Sequence, residues 1–166
     1  MRRKRIRPLA VGAGSALLAI VAVLAGLAPA SAQVEVEVFD PEGPFERVID
    51  LGRPGFGIGD QVLEIHTLLD PADGDPVGRS FTRVTVLRVF HGGEDALIAV
   101  DSTYRLDEGD IVFSGVFRLS SLAGGIRGAI HGGTGAYRDA TGEAVATAAE
   151  VAGREGVVVA FDLTLP

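Results

Sequence analysis

The stretch Ile130-His131-Gly132-Gly133-Thr134-Gly135-Ala136-Tyr137-Arg138-Asp139-Ala140-Thr141-Gly142 decides how the chain is read. An apolar run containing Ile126, Ala129 and Ile130 enters it, and a second extended run leaves it at Glu143. Gly132, Gly133 and Gly135 reach backbone angles that other residues adopt only at a cost, so with Thr134 they form a structural turn. Tyr137 follows, a large ring with a polar tip suited to closing the end of a core. A glycine-rich turn between a strand and a helix can also cradle phosphate on its N–H groups. Here no Lys-Ser/Thr follows, the G-x-G-x-x-G spacing is not met and no βαβ unit takes shape after Gly142. We read a tight strand-to-strand connection.

Working outward, the pattern is extended and punctuated. Val34-Glu35-Val36-Glu37-Val38-Phe39 alternates strictly, with the valines on one face, until Asp40-Pro41-Glu42-Gly43-Pro44 ends it. Phe45 to Leu51 reads as a short strand, and a glycine-rich loop runs to Asp60. Gln61 to Leu69 is the next strand, with Leu63, Ile65, Thr67 and Leu69 on one face and Val62, Glu64, His66 and Leu68 on the other. Asp70 to Pro76 is an acidic turn: it lacks the closing Glu of an EF-hand loop and holds two prolines. Arg79 to Phe90 is a long strand, turned back at His91 to Asp95, and Ala96–Leu106 and Asp110–Leu119 form a hairpin around Asp107-Glu108-Gly109. Glu143 to Val151 is helical by the propensity of its alanines and glutamates, yet Val145, Thr147 and Val151 also allow a strand. Gly156 to Leu165 is a final strand with Val157, Val159, Phe161, Leu163 and Leu165 on one face. Sequential hairpins at short spacing predict an all-β domain, a single closed antiparallel β-barrel of about eight strands. Closure also removes exposed edges.

The N-terminus reads as a signal peptide over residues 1–32, which leaves 33–166 for the barrel. Arg2, Arg3, Lys4, Arg5 and Arg7 form a basic head, Leu9 to Leu27 an apolar segment, and Ala30-Ser31-Ala32 a small-x-small cleavage site. The expected protein is secreted, with no membrane attachment after cleavage; an uncleaved anchor is the structural alternative. Loss of the five leader charges takes the formal charge from −7 to −12. An acidic surface of this kind repels phosphate backbones and anionic lipid, so nucleic acid is excluded as an expected partner. The chain has no cysteine, which removes disulfides, thiolate nucleophiles and Cys-based zinc sites.

The string Gly-Gly-Thr-Gly-x-Tyr-x-x-Ala-x-Gly, Gly132 to Gly142, resembles the signature of the allene oxide cyclase and dirigent barrel-like families, and especially their secreted actinobacterial relatives. The resemblance covers about Asp50 to Pro166. It includes Gly55-Phe56-Gly57-Ile58-Gly59-Asp60, Leu69-Asp70, Val77-Gly78-Arg79-Ser80, Thr103-Tyr104-Arg105-Leu106 and Gly115. It implies a calycin- or dirigent-like barrel, a strand at Glu143–Val151, and cofactor-free, non-redox chemistry on a small apolar molecule held in the barrel. Relatives with a cysteine in each of two neighbouring strands match Val84 and Val100, where apolar packing would replace the cross-link. The glutamate that allene oxide cyclases carry in their first strand has no matching motif around Glu35 and Glu37.

The polar candidates for chemistry are few. Glu64 and His66 share a strand face and form an acid/base pair if that face lines the lumen; the alternative is an outer, wet face. Asp101 interrupts the apolar run Ala96 to Val100, either as a pocket carboxylate with a raised pKa or as a surface acid opposite an Arg. These three are the candidate catalytic residues. Tyr104 and Tyr137 would donate hydrogen bonds to an oxyanion or cap a barrel end, and with Phe81 and Phe161 they are the expected ligand-binding residues. His66, His91 and His131 have no ligand spacing, so no metal site is expected. No G-x-S-x-G is present for a serine hydrolase.

The leading expectation is an exported barrel that binds a small apolar ligand and directs its cyclisation or stereoselective coupling. A lipocalin-like binding module without catalysis and a structural cell-surface barrel are the alternatives. A homo-oligomer stays open.

Overall fold

The computed structural model describes residues 31–166 apart from 44–46, 53 and 91–94. The expected leader, except Ser31 and Ala32, and His91 therefore lie outside the described residues. The strands are β1 (Ala32–Pro41), β2 (Arg47–Ile49), β3 (Gln61–Leu69), β4 (Pro76–Phe90), β5 (Asp95–Leu106), β6 (Gly109–Arg118), β7 (Ile126–Gly133), β8 (Thr141–Val151) and β9 (Arg154–Leu165). A 3₁₀ turn at Leu119–Gly124 joins β6 to β7, and another at Gly135–Tyr137 lies between β7 and β8.

One antiparallel sheet runs in the order β1-β9-β8-β7-β6-β5-β4-β3-β2 and closes where β1 meets β3, at Phe39↔Leu69. β1 and β3 to β9 thus make an eight-stranded barrel, and β2 is an additional strand on the other half of the β3 edge, from Arg47↔Leu63 to Ile49↔Gln61. The segment at Glu143 is a strand despite its helical propensity. Ladders to both neighbours hold it, and Ala144 and Ala146 are small enough to be buried on its inner face.

Alternation fixes the inside. Val34, Val36 and Val38 of β1 and Val157, Val159, Phe161, Leu163 and Leu165 of β9 belong to one core with Leu68, Tyr104, Ile111, Phe113, Ile130 and Tyr137. Two glycines make room for large rings in this core. A Cβ on Gly128 would sit 2.3 Å from the Phe113 ring, and one on Gly115 would sit 2.5 Å from the Phe117 ring. A second cluster at the opposite end, Val86, Ala96 and Ile98, meets the first through Val100 and Phe117.

The glycine-rich connection is clasped onto the β5–β6 turn. Thr134 N–H donates to the Asp110 carbonyl at 2.9 Å, Ala136 N–H to the Glu108 carbonyl at 2.8 Å, and Asp110 N–H to Thr134 Oγ1 at 3.0 Å. Gly132 and Gly135 have φ of 144° and 58°, whereas Gly133 serves close approach: a Cβ there would lie 2.3 Å from the Asp110 carbonyl oxygen. The clasp presses Tyr137 into the core and closes that end of the barrel. Gly135→Ala adds strain at positive φ and a 2.2 Å approach to the Glu108 carbonyl oxygen. In urea denaturation it should cost at least about 2 kcal/mol, whereas Ala136→Ser in the same exposed connection should stay within about 0.5 kcal/mol.

Candidate functional site

Residues opposite one another on neighbouring strands share a face, so the ladders arrange the inner wall of β3 to β5 in three rows. The first is Val48↔Val62↔Val84↔Val100, continued by Gly115 on β6. The second is Glu64↔Thr82↔Ser102, ending on Phe113, and the third is His66↔Ser80↔Tyr104, ending on Ile111. The first row is apolar and accessible: Val62, Val84, Val100 and the nearby Phe117 are only half-buried, and Val48 is 60% exposed. The third is deep, with Ser80 and Tyr104 buried.

The alternation of β3 therefore turns Glu64 and His66 inward. His66 meets a partner that its own strand does not supply. Its Nδ1 lies 2.8 Å from Oδ1 of Asp40, and the two side chains are 14% and 10% exposed. Because a carboxylate only accepts, Nδ1 carries a proton, and in the neutral imidazole Nε2 then presents its lone pair. Nε2 is buried beside Gly43, where a Cβ would approach it to 3.1 Å. Nε2 and Ser80 Oγ, on facing residues of β3 and β4, have no hydrogen-bond partner among the described residues. Thr82 Oγ1 and Ser102 Oγ bond each other at 2.8 Å. Burial, opposed by His66 and reinforced by Asp40, raises the Glu64 carboxyl above its ordinary range. Burial and the Asp40 charge also push the Tyr104 phenol far up, so it stays a neutral hydroxyl. An imidazole with a free lone pair and a carboxyl biased toward its acid form are the two halves of a proton-transfer device.

The other expected site residues divide. Phe161 is buried, and its ring meets that of Tyr104 edge-on at 5.0 Å and 71°, bridging the bore between β9 and β5. Tyr137 lies at the closed end, its phenol raised by burial and by Glu108. Asp101 and Phe81 leave the site. Asp101 has the opposite phase to Tyr104 and forms an exposed ion pair with Arg83 at 2.8 Å. Phe81 faces outward with Ile65, the Arg105 guanidinium lying 5.4 Å from its ring centroid. His131 is also on the outer surface, 2.6 Å from Ser114 Oγ. Asp40, Ser80, Thr82 and Ser102 were not foreseen. The alternation of Val34, Val36 and Val38 carries on to Asp40, which was the signal available. Val84 and Val100, expected to replace a cross-link, are direct cross-strand partners.

Two clefts of about 520 and 300 Å³ lie elsewhere. The larger runs along the glycine-rich connection between Val112, His131 and Asp139; the smaller is lined mainly by Glu35, Glu37, Arg127, Glu143 and Asp162 of the outer face. Neither touches Glu64 or His66.

Residues 35–161 match the model of the allene oxide cyclase barrel like domain. The chain belongs to that family. No curated protein matches it. Among solved structures, this family member is similar to a pyocyanin demethylase, with 23% identity, a TM-score of 0.64, and 78% of this chain and 99% of that one covered. It is similar to a pterocarpan synthase dirigent protein at 20% identity and TM-score 0.56, covering 82% and 95% of the two chains. The exo-specific intermolecular Diels–Alderase AbnU follows at 16% identity and TM-score 0.55, with 80% and 98% covered. At these identities the likeness is one of fold.

The raised pKa of Glu64 gives a signed prediction. A carboxyl that is harder to ionise folded than unfolded destabilises the protein above its folded pKa, and the penalty vanishes below the unfolded value. Glu64→Gln should therefore melt higher than the native protein at neutral pH, with the gap closing as pH falls through the ordinary carboxylate range. Melting curves across that range check it; a gap independent of pH contradicts it.

Proposed function

We propose that this barrel is exported, takes one small apolar molecule into its lumen, and steers that molecule's cyclisation or coupling without a cofactor. The observation that carries the reading is the inner row Val48, Val62, Val84 and Val100. It is apolar and inward-facing, yet still reached by solvent, and it leads directly to Glu64 and His66. Concave apolar walls with a few convergent polar groups are what small-molecule sites are made of.

The chemistry follows from the walls. Valine and phenylalanine side chains hold a flexible guest in one conformer, which removes much of the entropic barrier to ring closure. His66 Nε2 takes a proton from the guest as the new bond forms, with the Asp40 carboxylate stabilising the imidazolium. Glu64, whose carboxyl burial biases toward its acid form, returns a proton elsewhere on the guest. Synthase and cycloaddition activities named for two proteins with this barrel support the same use of the lumen. Export is supported by the basic, then apolar, then Ala-Ser-Ala leader. The acidic outer surface supports a protein without nucleic-acid partners.

The test uses the neutral probe N-phenyl-1-naphthylamine with the chain beginning at Gln33. Its fluorescence should rise on saturable binding, and Val100→Trp, which fills the accessible row, should weaken binding at least about tenfold while the circular dichroism of the sheet is kept. Val62→Phe provides a second, milder plug. Absence of probe binding, or binding that ignores both plugs, would overturn the proposal.

A further inference from the structure

Exposed apolar side chains and free charge are not spread evenly over the outside of the barrel. From their placement we infer that one end of the barrel docks on a lipid surface bearing anionic headgroups, with the loop between β2 and β3 seated among those headgroups. The docking needs no guest in the lumen.

Nine large hydrophobic side chains stand exposed among the described residues, and seven of them gather at one end. Val48, Leu51, Phe56 and Ile58, on β2 and the loop after it, are between 51% and 67% exposed. The facing residues Gln61, Thr85, Ala99 and Val116 bring the start of β3 level with the ends of β4 and β6. Leu87, Val116 and Leu119 complete the rim there. The remaining two, Ile65 and Val112, lie on the side wall, in the outer row that runs through Phe81 and Thr103. Apolar side chains gathered in this way mark a contact surface. The loop is braced to hold them out. Buried Asp60 accepts the N–H groups of Leu51 at 2.9 Å and Gly57 at 2.7 Å. Gly59 N–H donates to the Val86 carbonyl at 2.8 Å, and Val86 N–H to the Asp60 carbonyl at 2.9 Å.

Charge selects the partner. Arg47, Arg88 and Arg118 are exposed at the same end. The guanidinium groups of Arg88 and Arg118 lie 5.0 and 4.2 Å from the Phe90 ring centroid, which keeps both at the surface. The acids beside them are turned to the backbone: Asp50 accepts the N–H groups of Gly52 and Gly55, and buried Asp95 those of Ala96 and Ser120. The opposite end carries exposed Asp73, Asp75, Asp107, Glu108 and Asp139. Strand β6, from Gly109 to Arg118, separates the two ends by about 30 Å, well over the screening length of about 8 Å at physiological ionic strength. An anionic surface therefore meets the arginines while the distant acids are screened from it, and the net acidity orients the barrel where it was expected to repel lipid. Glu42, Glu150 and Glu155 stand together on the β1–β9–β8 side, so the barrel leans on its β2–β6 side. Arginines interleaved with apolar tips are the make-up of an interfacial surface: the cations sit among phosphates and the tips reach the first acyl carbons.

The chain holds no tryptophan, so Phe56→Trp places a single reporter on the loop. In the chain beginning at Gln33, without the apolar leader, its emission should move to shorter wavelength on adding vesicles of phosphatidylcholine with phosphatidylglycerol. Lipids brominated in the acyl chain should quench it. Cosedimentation with the same vesicles should weaken at least about tenfold in Leu51→Ser with Ile58→Ser. Ile65→Ser with Val112→Ser, also exposed but on the side wall, should leave it unchanged. Arg47→Gln with Arg88→Gln should remove most of the preference over pure phosphatidylcholine, as should salt at about 1 M. Neither emission shift nor cosedimentation, or weakening that the Ile65 and Val112 pair produces equally, overturns the inference. So does a concentration-dependent rise in solution mass that Leu51→Ser with Ile58→Ser abolishes while vesicles go unbound, which would assign the rim to contacts between copies of the chain.

Discussion

An eight-stranded sheet becomes a barrel only if its first and last members find each other, and here they do so along a short seam. β1 is laddered to β9 from Ala32↔Leu165 to Pro41↔Gly156, but it meets β3 only around Phe39↔Leu69. What holds that seam is burial and one polar pair. Val38, Phe39, Leu68 and Leu69 are buried there, and one residue beyond Phe39 the Asp40 carboxylate grips His66. A buried ionisable pair is seldom a large net source of stability, because both groups give up hydration to form it. Its value lies in register: sliding either strand by one residue would turn one partner out of the barrel.

The same pair makes the site. By fixing a proton on Nδ1, Asp40 leaves Nε2 of the neutral imidazole as an acceptor, and its charge adds to the upward shifts of Glu64 and Tyr104. The groups suited to chemistry are thus products of closure. Away from the seam the lumen is either packed, as where Tyr104 meets Phe161, or apolar and half-buried, as at Val62, Val84 and Val100. The deep third row, the polar second row and the apolar first row follow from three successive inner positions of β3, each repeated across β4 and β5 by the ladder.

Much of this was legible in the residues. The glycine-rich connection and the strand order by hairpins were read correctly, and the family resemblance placed Val84 and Val100 on neighbouring strands, where they face each other. So was the grouping of Glu64 with His66. Which face they took was not decided, because both faces of β3 mix apolar and polar residues: the outer one carries Leu63 and the exposed Ile65. Asp101 was misplaced for a related reason. Its strand is apolar on both sides, and only the phase of Tyr104, buried three residues later, shows that Asp101 points out. Asp40 was overlooked because the prolines and glycine after it read as a turn, although β1 keeps its alternation through that position. Its partnership with His66, 26 residues away, depends on closure and is not a local property.

A double-mutant cycle on Asp40→Ala and His66→Ala, read by urea denaturation, measures the seam directly. If the pair couples β1 to β3, the two changes should be non-additive by at least about 1 kcal/mol. Effects that add within about 0.3 kcal/mol would mean that the two side chains do not meet in solution, and neither the closure nor the site described here would stand.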